Sequence, residues 1–93
     1  MTKEEKIQVI AGKKLDEIHC VLDNLQCGHK IPKKYNFIYL GDIQDYIKYY
    51  SLIIDGEFKD AYRTQWNMNT NAREGIYTKI FNFIDYNFPD NDW

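Results

Sequence analysis

Apolar residues recur at steps of three and four along most of this chain, the spacing that lines side chains up on one face of an α-helix. The longest run spans 42–66. Ile43, Ile47, Tyr50, Ile54, Phe58, Ala61 and Gln65 keep the period, and Tyr46, Ile53, Tyr62 and Trp66 widen the stripe beyond a coiled-coil seam. Asp45, Lys48, Asp55, Lys59 and Arg63 take the polar side, with Asp55 one turn ahead of Lys59 in the order that favours pairing. Gly41-Asp42 supplies a start, because Asp42 can cap free amides while Asp45 adds negative charge to the first turn. Gly56 interrupts the run at a cost of up to about 1 kcal/mol. Since the apolar phase carries through it, a bend in one helix is predicted rather than a break.

Two further helices flank this one. Thr2-x-x-Glu5 has the form of a capping box, and Ile7, Ile10, Ala11, Lys14, Leu15, Ile18, Val21, Leu22 and Leu25 then keep the helical period, giving a helix over 3–27 that stops at Cys27-Gly28. After the polar cluster at 67–71, Asn71-x-x-Glu74 resembles a second cap, and Ile76, Tyr77, Ile80, Phe83, Ile84 and Phe88 form a stripe over 72–88. Phe81 and Tyr86 fall off that stripe. Pro89 ends the helix, leaving an acidic tail over 89–93. Residues 29–40 differ. Pro32 blocks a helix and Tyr35, Phe37 and Tyr39 alternate with other residues at the period of a strand, so an extended connection along the helices is predicted, in preference to pairing with a second subunit. The fold predicted is therefore all-α: one domain, a three-helix antiparallel bundle with an extended aromatic connection between helices one and two.

Composition narrows the function. Ninety-three residues suffice for one core, and eight Tyr, five Phe and two Trp are more rings than a core of this size readily houses, which points to an interface. Charge divides unevenly, +2 over residues 1–34 (seven Lys, five acids) and −4 over 35–93 (five bases, nine acids). That balance disfavours direct binding to duplex nucleic acid and suits a basic protein surface. The charged N-terminus carries no secretory pattern and no apolar run approaches the length of a bilayer span, so a soluble cytoplasmic protein is expected. Cys20 and Cys27, about 10 Å apart if on one helix, are expected as reduced, buried or half-buried thiols.

Four constellations could carry chemistry. His19, Cys20, Cys27 and His29 are zinc-binding residue types, but their spacing lacks any paired ligand unit, so no metal and no cofactor is expected. Lys33, Lys34 and Tyr35, preceded by Lys30 and joined by Arg63 and Arg73, could hold a nucleotide or other small anion with an aromatic ring stacked on it. Arg63, Trp66 and Arg73 could converge at the turn between helices two and three as an interface hot spot. The acids Asp42, Asp45, Asp55, Glu57, Asp60, Asp85, Asp90 and Asp92 could imitate a phosphate backbone toward a nucleic-acid-binding protein.

No nucleophile elbow, P-loop, dinucleotide fingerprint or H-E-x-x-H motif is present, so no catalytic residues are assigned and an enzyme is not expected. The reading that results is an interaction protein that binds and inhibits a larger protein, with Arg63, Trp66, Arg73, Asp45, Asp55 and Asp60 as its contact residues and self-association as a homodimer compatible with it. Its wealth of Ile, Lys, Asn and Tyr is common in chains from AT-rich genomes, and such a compact domain suits an accessory protein of a phage or mobile element. The alternatives are a nucleotide or small-anion binder and an immunity or antitoxin-type protein.

Overall fold

The first helix begins as its sequence dictates. Thr2 Oγ1 accepts from the Glu5 N–H at 3.1 Å while Glu5 Oε1 accepts from the Thr2 N–H at 3.3 Å, satisfying two amides that a helix start would leave open. The computed structural model of the protein describes residues 1–30 and 43–88, and the regular structure among them is helical throughout. The helices are α1 (Lys3–Gln26), α2 (Ile43–Ile54), α3 (Phe58–Asn67), α4 (Thr70–Glu74) and α5 (Thr78–Asn87). Most of the predicted extended segment, the Gly41-Asp42 start, the Pro89 stop and the acidic tail lie outside the described residues.

Among the described residues five helices stand where three are predicted, because two of the predicted helices divide. α1 closes with Gly28 at φ 75°, its N–H donating to Leu25 O (3.2 Å) and the His29 N–H to Asn24 O (2.8 Å). This pair of bonds satisfies carbonyls at the helix end, and the left-handed conformation it requires is open to glycine. Gly56 does the same for α2. It stands at φ 80°, its N–H donates to Ile53 O (3.0 Å), and the Glu57 N–H donates to Leu52 O (2.9 Å). The predicted bend is thus a break. Periodicity concealed it because Ile53, Phe58 and Ala61 are all buried across the stop. Asp55 and Lys59 consequently fall on opposite sides of a turn rather than along one helix.

The predicted helix over 72–88 is likewise interrupted, at Gly75-Ile76-Tyr77. Its start lies earlier than the sequence suggested: Asn69, not Asn71, is the cap, its Oδ1 accepting from the Ala72 N–H at 2.9 Å, and Asn71 lies inside α4. At the corner the Tyr77 N–H donates to Tyr50 Oη at 3.3 Å, a bond into the core that turns the chain between α4 and α5.

α1 packs along α2, α2 against α3, and α5 against both α1 and α3. The centre of this assembly is a face of α2 rotated from the predicted one. Tyr46, Tyr49, Tyr50 and Ile53 are buried, whereas Ile54 is 39 % exposed and Ile47 half-buried. Polar partners explain the rotation. Tyr49 Oη donates to Gln65 Oε1 of α3 at 2.8 Å inside the core, and Tyr50 Oη takes the Tyr77 N–H, so each phenol is buried with its oxygen engaged. The two rings meet edge to face at 5.4 Å. Gln65 Nε2 is buried with no partner among the described residues. Lys14, which the sequence places in the apolar stripe of α1, is tolerated there because its Nζ lies 5.2 Å from the centre of the Tyr77 ring and 3.3 Å from Glu17 Oε2.

Three outcomes follow. Gly56→Ala should destabilise the fold by about 1–2 kcal/mol through its left-handed backbone, since an added methyl would meet only Gln8 Nε2 at 3.7 Å, an ordinary contact. Gly12→Ala, in a helix interior with nothing within 4 Å of the new methyl, should stabilise it by up to about 1 kcal/mol in the same urea titration. The third concerns alkali. Burial pushes the Tyr49 and Tyr50 phenols well above their ordinary value of 10.0, Tyr50 beside Tyr49 adding to the effect at Tyr49. Because their folded-state values lie above the unfolded one, their contribution is intact below about pH 10 and is lost as pH rises beyond it, at up to about 1.4 kcal/mol per pH unit for each. Urea titrations in rising alkali should show that decline, with roughly half the slope in Tyr49→Phe; stability that stays flat would mean the phenols ionise in contact with water.

Candidate functional site

Among the described aromatic residues two side chains stay exposed, Trp66 at 43 % and Tyr86 at 85 %. Each borders a separate hollow. Trp66 owes its position to Gln65. With Phe58, Ala61 and Gln65 turned to the core, the next residue of α3 points about 100° away, toward the surface.

The indole does not stand alone there. It meets Tyr62 of the preceding turn at 6.2 Å and Phe81 of α5 at 5.7 Å, both edge to face, and the Arg73 guanidinium of α4 lies 5.1 Å from its ring centre. Arg73 Nη2 also donates to Thr70 Oγ1 at 3.3 Å, which holds the guanidinium in place. The short α4 and the corner after it bring these groups together: Arg73 and Thr70 come from α4, Ile76 from the corner, and Thr78 and Phe81 from α5. With Glu74 they enclose a hollow of about 360 Å³ beside the indole. Chemically it offers an aromatic wall, one cation, one carboxylate and two hydroxyls, a set suited to holding a side chain of mixed character.

Of the residues singled out from sequence, Trp66 and Arg73 are brought together. Arg63 is not part of the hollow's lining; its Nη1 lies 3.8 Å from Asp60 Oδ1, with both side chains about half exposed. Asp60 is on α3, Asp55 in the turn before it, and Asp45 half-buried in the first turn of α2, so the three acids come from two helices and the break between them. Lys33, Lys34 and Tyr35 lie outside the described residues, and Arg63 and Arg73 do not meet at the hollow as the alternative ligand set supposed.

Phe81, Thr70, Glu74, Ile76 and Thr78 were not read as functional. The available signal was Phe81, an apolar residue off its helical stripe. The thiols depart from prediction in burial alone: Cys20 and Cys27 form no disulfide but are exposed, Cys20 behind the exposed His19 on α1 and Cys27 at the helix's C-cap. His19 and His29 are exposed as well, and among the described residues no three His, Cys, Asp or Glu side chains gather closely enough to hold a metal ion. No described helix is long and apolar enough to cross a membrane. No protein-family model, curated protein or solved structure matches the chain.

Proposed function

We propose that this is a non-catalytic interaction protein that docks on a larger protein through the hollow beside Trp66 and inhibits it by occupying its surface. The observation that carries the reading is an indole left 43 % exposed yet braced by Tyr62, Phe81 and Arg73. Tryptophan and arginine are the residues on which interface energy concentrates, and bracing them before contact removes part of the ordering entropy that association otherwise costs. The exposed Asp55 and Asp60 would steer a basic partner surface, contributing to rate and orientation more than to affinity.

A nucleotide in the same hollow is less well supported. Arg73 could meet its phosphate and Trp66 its base, but Glu74 in the lining would repel the anion.

A photo-crosslinking amino acid placed at Thr78, on the rim of the hollow, should capture a protein from lysate in wild type. Trp66→Ala and Arg73→Ala, each checked for unchanged helical content, should reduce capture by about tenfold or more, the loss of a hot-spot contact. Capture at the wild-type level in both variants would refute this site, and a melting midpoint raised by millimolar nucleotide in wild type alone would favour the small-ligand reading instead.

A further inference from the structure

We infer that the groove between α1 and α5 is a second docking site, independent of Trp66, and that its occupant is an acidic amphipathic helix of another protein. The groove encloses about 440 Å³ and is bordered by the other exposed ring, Tyr86. Lys3 and Lys6 line it from α1 and Lys79 from α5, over a floor of Ile7, Ile10 and Phe83, and among the described residues no carboxylate lines it. The chain as a whole carries −2, so a patch of three lysines with no acid among its described lining residues is a local field opposed to the net charge.

The positions of Lys3 and Lys79 have no account in helix stability. Lys3 and Lys79 sit in the first turns of α1 and α5, where the helix dipole favours acids and disfavours cations. A partner supplies the reason that the helices do not.

Shape and chemistry then choose among anions. Inorganic phosphate or a nucleic-acid backbone would engage the lysines but leave the apolar floor uncovered. A bilayer is flat, whereas the groove is a furrow between two helices. A helix about 10 Å across fits such a furrow, and the lining segments 3–10 and 79–87 each run about two turns, enough to seat a helix of two or three turns. Apolar side chains at i, i+3, i+4 and i+7 would cover Ile7, Ile10 and Phe83, while flanking carboxylates meet Lys3, Lys6 and Lys79 across the rims.

The test is nuclear magnetic resonance on the full ¹⁵N-labelled chain, titrated with a synthetic peptide carrying Leu at those four positions and Glu around them. Amide shifts should concentrate in 3–10 and 79–87. Lys3→Glu/Lys6→Glu/Lys79→Glu should weaken binding by about tenfold or more, and added salt should do the same. All three lysines are exposed, and two of the new acids fall where the helix dipole favours them, so the variant should keep its helical spectrum. Trp66→Ala should bind the peptide as wild type does, which separates this site from the one proposed above. Any of four results would overturn the inference: no shifts at millimolar peptide; equal binding by a peptide of the same composition scrambled to lose its apolar face; stronger response to inorganic phosphate, oligo(dT) or phosphatidylserine vesicles; or a dimer in light scattering that the triple variant abolishes, which would make the occupant a second copy of this chain.

Discussion

Two adjacent tyrosines of one helix, Tyr49 and Tyr50, cannot be buried unless their hydroxyls are dealt with, and that requirement organises this protein. An apolar side chain can sit anywhere in a core, whereas a phenol oxygen left without a partner there costs about 1–3 kcal/mol. Tyr49 finds Gln65 and Tyr50 finds the Tyr77 amide. These two bonds tie α2 to α3 on one side and to the corner between α4 and α5 on the other. They convert a greasy face that could slide into one with a fixed register.

The surface inherits that register. Once Tyr49 has drawn Gln65 inward, Trp66 must face out, and once Tyr50 has anchored Tyr77, α4 and α5 diverge at a point that sets Arg73 and Phe81 against the indole. The exposed tryptophan is therefore a consequence of core chemistry and not a surface accident. The second hollow has a different origin, in the way α5 lies beside the first turns of α1, and two of its three lysines, Lys3 and Lys79, stand where the helix termini disfavour a cation.

Much of this was legible in the residues. The helical class, the Thr2–Glu5 cap, the Gly28 stop, and the buried Ile7, Ala11, Ile18, Ile80 and Ile84 all follow from spacing and local chemistry. At Gly56 two signals in the sequence disagree, an apolar phase that continues and a glycine that can close a helix, and the carbonyls at the end of α2 decide for closure. The inward face of α2 was misjudged because hydrophobic period ranks Ile54 with the core and takes no account of where a phenol can find a hydrogen bond. Trp66 and Arg73 were picked for their residue types, and the structure adds that they touch. Phe81 and the lysine-lined groove depend on which helices become neighbours, which spacing within one helix does not encode.

The bond from the Tyr77 amide to Tyr50 Oη is the point at which core and surface meet, so hydrogen exchange at that amide tests the account most directly. Under native conditions it should be among the slowly exchanging amides, opening only with the core, and Tyr50→Phe should speed it selectively while the amides of mid-α1 keep most of their protection. Exchange of the Tyr77 amide at the rate of an unstructured peptide in the wild-type protein would contradict the claim that a buried phenol sets the corner on which the tryptophan hollow is built.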